Sequence, residues 1–455
     1  MLYLISNGLV MSKLPKSVFH RGQILLSLLI AIAVFAILAH ALFTLIASSF
    51  DLVSLNKARI TARHLAQEKI EIIRNISYSD IGTVGGIPNG IIEQQEIVRR
   101  NGLNYTVKTD ISYVDDPFNG TGASDTDYKR VRIEVTWEGL AASRKNPIVI
   151  LSDISSEALE EIAGGTLIIL VYDASGNPVT QAQVTIVSSG ITPAVNLTVD
   201  TDSNGRVVRS GATACIECYQ ITVTKEGFSL DRTYSTNEVA NPIKPSMSVF
   251  LNSPTQSSFA IDRVGTLTIS SFDSRENNFI ALGNVSFRLH GNKIIGTDTL
   301  AQPVYKYDQN IATNATGMLN LPSMEWGVYQ VFMPTLTSYD ISGTFPILPL
   351  NLSPGVDFDF TFAVNSHTNH SLFFTLKDPS QNLIASASAR LYDDSGFDQT
   401  KPTGISTDPD FGQALFSGLN EQTYHLTATA SGFVNFNGDF DVSGYTKADL
   451  VLIPE

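Results

Sequence analysis

The chain has 455 residues, a formal net charge of −14 and only 16% charged residues against 43% apolar ones. Such an acidic balance with few basic clusters argues against nucleic acid as a partner. The length allows several domains, and a background rich in Ser, Thr, Asn and Gly suits an exported, largely β protein.

The first element is an apolar run from Ile24 to Ile46 that no charged residue interrupts. Its ~23 residues span about 35 Å as a helix, enough to cross a hydrocarbon layer of ~30 Å with some tilt. Ser27, His40 and Thr44 are its polar residues. Serine and threonine can return their hydroxyls to the helix backbone, and a neutral His40 would face a neighbouring helix. Lys13, Lys16 and Arg21 precede the run and Asp51 follows it, so the N-terminus is expected in the cytoplasm and everything beyond about residue 50 outside the membrane. A cleaved secretory signal is the rival reading. It is disfavoured because such cores cover about 7–15 residues, and the small-x-small site Ala39-His40-Ala41 lies inside the run.

The helical pattern continues to about Arg74. Leu52, Leu55, Ala58, Ala62, Leu65, Lys69, Ile72, Ile73 and Ile76 keep three-to-four spacing, the mark of an amphipathic helix. Neither Pro nor Gly occurs from Gln23 to Ile81, so a single rod of ~50 residues and about 75 Å is expected. A basic leader ending in Gly22, the apolar start Gln23-Ile24-Leu25-Leu26-Ser27 and the stretch Ala62–Arg74 together resemble the type IV pilin and type II secretion pseudopilin superfamily, over about residues 11–150. The resemblance implies a prepilin peptidase that cuts after Gly22 and methylates the new amine of Gln23, with the leader starting at Met1 or Met11. It also implies other pilin or pseudopilin subunits as partners. The family generally has phenylalanine where Gln23 stands and glutamate where Ser27 stands. Ser27 cannot pair with a neighbour's terminal amine, and within the resemblance this points to a minor subunit at a filament tip.

A small antiparallel sheet is expected next, with strands Ile91–Arg99, Asn104–Tyr113, Tyr128–Trp137 and Pro147–Ile154. Asn101-Gly102 is a hairpin signal, because such a turn needs positive φ. Asp115–Asp127 is oxygen-rich but lacks the spacing of a calcium loop, so it reads as a solvated loop.

From about Glu161 the chain repeats one plan at ~100-residue spacing, which is domain duplication, not a solenoid period. The repeats open at Gly165–Val171, Gly265–Ile269 and Ser371–Leu376. They then pass a polar turn (Thr201–Gly205, Thr313–Gly317, Thr407–Asp410) and reach a strand centred on Tyr219, Tyr329 or Tyr424. Short alternating strands between Gly, Pro and Asn turns predict a β-sandwich for each repeat. The first, with Asp173–Val179 and Asp202–Gly205, resembles the carboxypeptidase-regulatory or transthyretin-like (prealbumin-like) modules, which are accessory and not catalytic.

Candidate chemistry is sparse. Cys215 and Cys218 lack the helix of a redox motif and any nearby histidine for zinc, so outside the membrane a short-range disulfide is expected. His367 and His370 lack the glutamate of a zincin motif and fall in a linker, and no metal or cofactor is expected. Neither a Gly-x-Ser-x-Gly elbow nor a phosphate-cradling loop is present. The expected architecture is an α+β pilin-like N-terminal domain followed by all-β tandem sandwiches. The boundaries are leader 1–22, helix 23–80, sheet 81–160, and sandwiches 161–255, 262–366 and 368–455. The expected function is that of a non-enzymatic minor pilin-like or pseudopilin subunit of the inner membrane, held by its helix in a surface filament. Its modules would serve adhesion, by way of a surface ligand, or spacing. The alternatives are an uncleaved, single-pass surface protein whose modules bind carbohydrate or a partner protein, and an exported enzyme using the sandwiches as accessories.

Overall fold

The computed structural model describes residues 21–114, 125–138, 146–161, 164–334 and 338–455. The leader through residue 20 and the Asp115–Asp127 loop through residue 124 lie outside them. One long apolar helix is followed by mainly antiparallel sheets that form sandwich modules. The chain divides into two compact units. One holds the helix with Gln95–Thr109 and Arg132–Ser152; the other holds Ile76–Gln94, Asp110–Val131 and everything from Asp153.

In the first unit the helix runs unbroken over 54 residues, Arg21–Arg74, about 80 Å at 1.5 Å per residue. It ends where Asn75 turns its side-chain amide back onto the Glu71 carbonyl at 2.7 Å, covering one of the acceptors a helix end leaves open. The buried stripe is Ala58, Ala62, Leu65, Ala66, Ile70 and Ile73. That is rotated from the expected face: Ile72 is 48% exposed and Leu52 51%, while Lys69 sits at the rim, paired with Glu96 at 2.6 Å. Alanines at Ala58, Ala62 and Ala66 allow close approach to a strand surface carrying Tyr105, Val107, Ile133, Val135 and Trp137, all buried. Glu68–Arg100 at 3.5 Å and Asn101 donating to Thr61 at 3.2 Å fasten the same face.

Four strands pair in chain order: Gln95–Arg100, Leu103–Val114, Asp125–Trp137 and Ile148–Glu161. The first starts later than expected and the last runs seven residues further, to Glu161. Asn101 and Gly102 take φ of 51° and 80°, the paired positive values of a type I′ hairpin.

In the second unit the three sandwiches share one topology. Each opening strand (Gly165–Tyr172, Gly265–Asp273, Ser371–Lys377) lies between a parallel closing strand (Pro254–Ala260, Phe358–Ser366, Tyr445–Val451) and an antiparallel strand that follows the polar turn (Arg206–Ala212, Met318–Met324, Gln413–Ser417). The facing sheet places the second strand (Gln183–Ser188, Ser286–Gly291, Ser388–Tyr392) beside the tyrosine strand (Cys215–Thr224, Gly327–Phe332, Gln422–Thr429). Each sandwich has its own core, with Tyr219, Tyr329 and Tyr424 inside it. The first core takes in Phe259 and Ile261, so that sandwich extends past the expected limit at 255. In its closing strand Gln256, Ser257 and Ser258 interrupt the apolar alternation.

The turn motif shows a second difference. Thr201 accepts from the Ala182 amide at 2.9 Å and donates to the Val179 carbonyl at 2.7 Å. Thr313 accepts from the Val285 amide at 3.2 Å. In the third sandwich the same work is done by Thr403, which accepts from Ala387 and donates to Ile384, both at 2.9 Å. Thr407, the expected counterpart, is exposed.

Burial pushes the Tyr219 phenol up to about 12, and burial likewise raises Tyr329 and Tyr445. A raised folded-state value means the neutral phenol favours the fold. That contribution is whole below about pH 10, the ordinary tyrosine value, and is lost as pH climbs toward 12. The sandwiches should therefore lose stability between pH 10 and 12, with a late rise in tyrosinate absorbance at 295 nm accompanying any loss of circular dichroism. Complete tyrosinate formation by pH 11 with the dichroism intact would contradict this.

Candidate assembly helix and module junctions

Gly22 and Gln23 lie in the first turn of the helix and Ser27 one turn on. From Leu26 to Phe50 the large apolar side chains are exposed on every face, Phe35 at 72% and Phe43 at 73%. Each would forfeit about 1.5–3 kcal/mol by remaining in water, so this half favours apolar surroundings. The helix is long and apolar enough to cross a membrane. Thr44 and Ser49 return their hydroxyls to the Ala41 and Leu45 carbonyls at 2.9 Å, which removes two donors from an apolar surface. His40 is exposed among the apolar side chains.

Cys215 and Cys218 form a disulfide with Cα atoms 6.0 Å apart. Both lie within the tyrosine strand, Cys215–Thr224. Tyr219 pairs with Met247 and Cys215 with Val249, so between these pairs three residues oppose one. The bulge puts Glu217 at φ 48°, its amide held by the Ser248 hydroxyl at 2.9 Å. Both cysteines pack against the first core.

His367 and His370 have separate partners. The His367 Nδ1 lies 2.9 Å from Asp340 Oδ1, and the His370 Nδ1 accepts from the Gly444 amide at 3.1 Å. The tract therefore ties the second sandwich to the third. Among the described residues no group of three or more His, Cys, Asp or Glu is placed to hold a metal ion.

The junction between those sandwiches was not foreseen. Arg275 donates from Nε to Asp410 at 2.9 Å and from Nη2 to Asp408 at 2.7 Å and Asp410 at 2.5 Å, the fork geometry that suits guanidinium and carboxylate. Lys401 meets Glu276 at 2.5 Å. The fully buried Gln413 amide spans Thr344, accepting from its N–H at 3.0 Å and donating to its carbonyl at 2.7 Å. Gly343 is required here: a Cβ on it would stand 2.3 Å from the Asp410 Cβ. Tyr445 of the third sandwich donates to the Ile341 carbonyl of the second at 2.6 Å.

Both sides of this junction are insertions on the common plan. The opening turn runs from Asp173 to Val179 in the first sandwich and from Asp378 to Ile384 in the third, but from Asp273 to Leu282 in the second. The extra residues carry Arg275 and Glu276. The polar turn runs from Thr201 to Arg206 and from Thr313 to Met318, but from Thr403 to Gln413 in the third. The extra residues there carry Asp408 and Asp410. Comparing turn lengths among the repeats is the signal that would have found them.

The first and second sandwiches are joined differently. Asn241–Pro242 pairs with Ile294–Thr297, which pairs with Pro303–Tyr305, a small sheet shared by the two modules. Lys306 adds a bond to the Leu230 carbonyl at 2.6 Å.

No family model and no curated protein matches the chain. Among solved structures, the Bacillus anthracis TIE protein is similar at 13% identity over 80% of this chain and 73% of that one, with a TM-score of 0.19. A streptococcal ancillary pilin is similar at 13% identity over 64% and 99%, with a TM-score of 0.17. GBS52, the minor pilin of the Gram-positive pathogen Streptococcus agalactiae, is similar at 12% identity over 44% and 96%, with a TM-score of 0.22. At such scores the chains do not superpose as wholes, and these likenesses carry nothing over to this one.

Proposed function

We infer that the chain is a minor pilin-like or pseudopilin subunit that holds three β-sandwiches outside the membrane for adhesion or spacing. The observation that carries this reading is the unbroken helix, whose first half is exposed and apolar on all faces while the second buries one alanine-lined stripe on a sheet. A simple anchor has no need to continue rigidly past the bilayer; a subunit that packs its helix against those of its neighbours does. On this reading the N-terminus starts in the cytoplasm, a prepilin peptidase removes the leader after Gly22 and methylates Gln23, and Ser27 assigns the subunit to a filament end. The joined sandwiches support a stiff spacer and provide no catalytic step.

Mass spectrometry of the mature N-terminus decides the matter. An N-methylated Gln23 is the expected result, whereas an intact leader would favour the permanently anchored surface protein. The absent family residues at Gln23 and Ser27 are the observation on that protein's side.

A further inference from the structure

An indole, three ammonium groups and a cavity of about 260 Å³ meet between the first and second sandwiches. The Lys293 ammonium lies 3.2 Å from the centre of the Trp326 ring and 2.9 Å from Glu325. Lys306 reaches the other Glu325 oxygen at 2.8 Å, and Lys244 bonds to Asp231. Three lysines against two carboxylates leave one positive charge over, in a chain whose net charge is −14. Each ammonium carries three donors, so these pairings do not exhaust them. Burial also pushes Lys293 below the ordinary lysine range, against the opposing pull of Glu325, so its ammonium is partly stripped of water. The volume falls just under the ~300–1,000 Å³ of drug-sized sites, a fit for a single ring.

We propose that this cleft binds an acidic sugar residue, its carboxylate received by Lys293 and Lys306 and its ring lying against Trp326. The proposal deepens and rests on the surface-display reading by naming the ligand class of the modules. Its test does not require filament assembly, so failure here leaves the Gln23 result standing, and the reverse holds equally.

The full chain in detergent micelles is titrated with D-glucuronate, glucose and acetate while tryptophan fluorescence is followed. The chain has two tryptophans, and Trp137 is 4% exposed in the small sheet, so a response reports Trp326. Glucuronate should give a saturable change that glucose and acetate do not. Trp326→Phe should abolish the change, and Lys293→Gln, read by calorimetry, should weaken binding by about tenfold, the worth of one charge-assisted hydrogen bond. Glu325→Gln frees two lysines and should tighten binding several-fold at low salt, a gain that misfolding cannot imitate. No saturable response to glucuronate, an equal response to acetate or glucose, or unchanged affinity in Glu325→Gln would each overturn the proposal.

Discussion

Arg275→Ala should destabilise the joined second and third sandwiches by about 3 kcal/mol, the lower end of the cost of breaking a buried ion pair. The lower end applies because the Arg275 side chain is 33% exposed, while that of Asp410 is only 6% exposed. Removing the guanidinium leaves Asp410 charged, desolvated and close to Asp408. Burial already lifts Asp410 above the usual carboxylate range, so the orphaned group would be expected to take up a proton, which limits the loss. Arg275→Lys keeps the charge but not the fork that reaches both carboxylates, and should fall between. Asp410→Asn added to Arg275→Ala should recover part of the loss, because the uncompensated charge then disappears. The measurement is a double-mutant cycle in urea, with hydrogen exchange at the Thr344 amide, held by Gln413 across the junction, as the local reporter. A change within about 0.5 kcal/mol and unaltered exchange would mean that the pair behaves as a surface salt bridge and that the other contacts across the junction hold the two sandwiches together.

What the sequence made legible follows from how local each signal is. The helix was readable because an apolar run with no Pro or Gly has few alternatives, and the hairpin at Asn101-Gly102 because two adjacent residues define it. The repeated plan was visible because strand alternation and turn residues recur in phase. Which helical face is buried was harder to read. Lys69 and Ile72 have the right spacing, but Ala66 and Ile70 were taken, since close approach to a sheet rewards small side chains over apolar count. The closing strand Pro254–Ala260 was missed because it pairs in parallel with Gly165–Tyr172, a long-range partner that leaves no mark in its own serine-rich sequence. The Arg275 site is built from two insertions more than a hundred residues apart, each an ordinary polar loop when read alone.

The third repeat shows how local likeness can mislead, and it yields the sharpest test. Thr407-Asp408-Pro409-Asp410 resembles Thr201-Asp202-Ser203-Asn204, yet the residue in the structural place of Thr201 is Thr403. Its hydroxyl is 2.9 Å from both the Ala387 amide and the Ile384 carbonyl, and the residue is 2% exposed. Thr403→Val keeps the shape and deletes the hydroxyl, leaving a donor and an acceptor unpaired in the third core's rim. At about 1–3 kcal/mol for each of the two stranded groups, the loss should be roughly 2–6 kcal/mol. Thr201→Val should cost a similar amount in the first sandwich, since its two bonds are of like length. Thr407→Val, at an exposed position, should stay within about 0.5 kcal/mol. Urea denaturation of the three variants reads the order directly. If Thr407→Val proved the costlier of the two in the third sandwich, the turn would follow the sequence likeness, and the insertion that presents Asp408 and Asp410 to Arg275 would not exist as described.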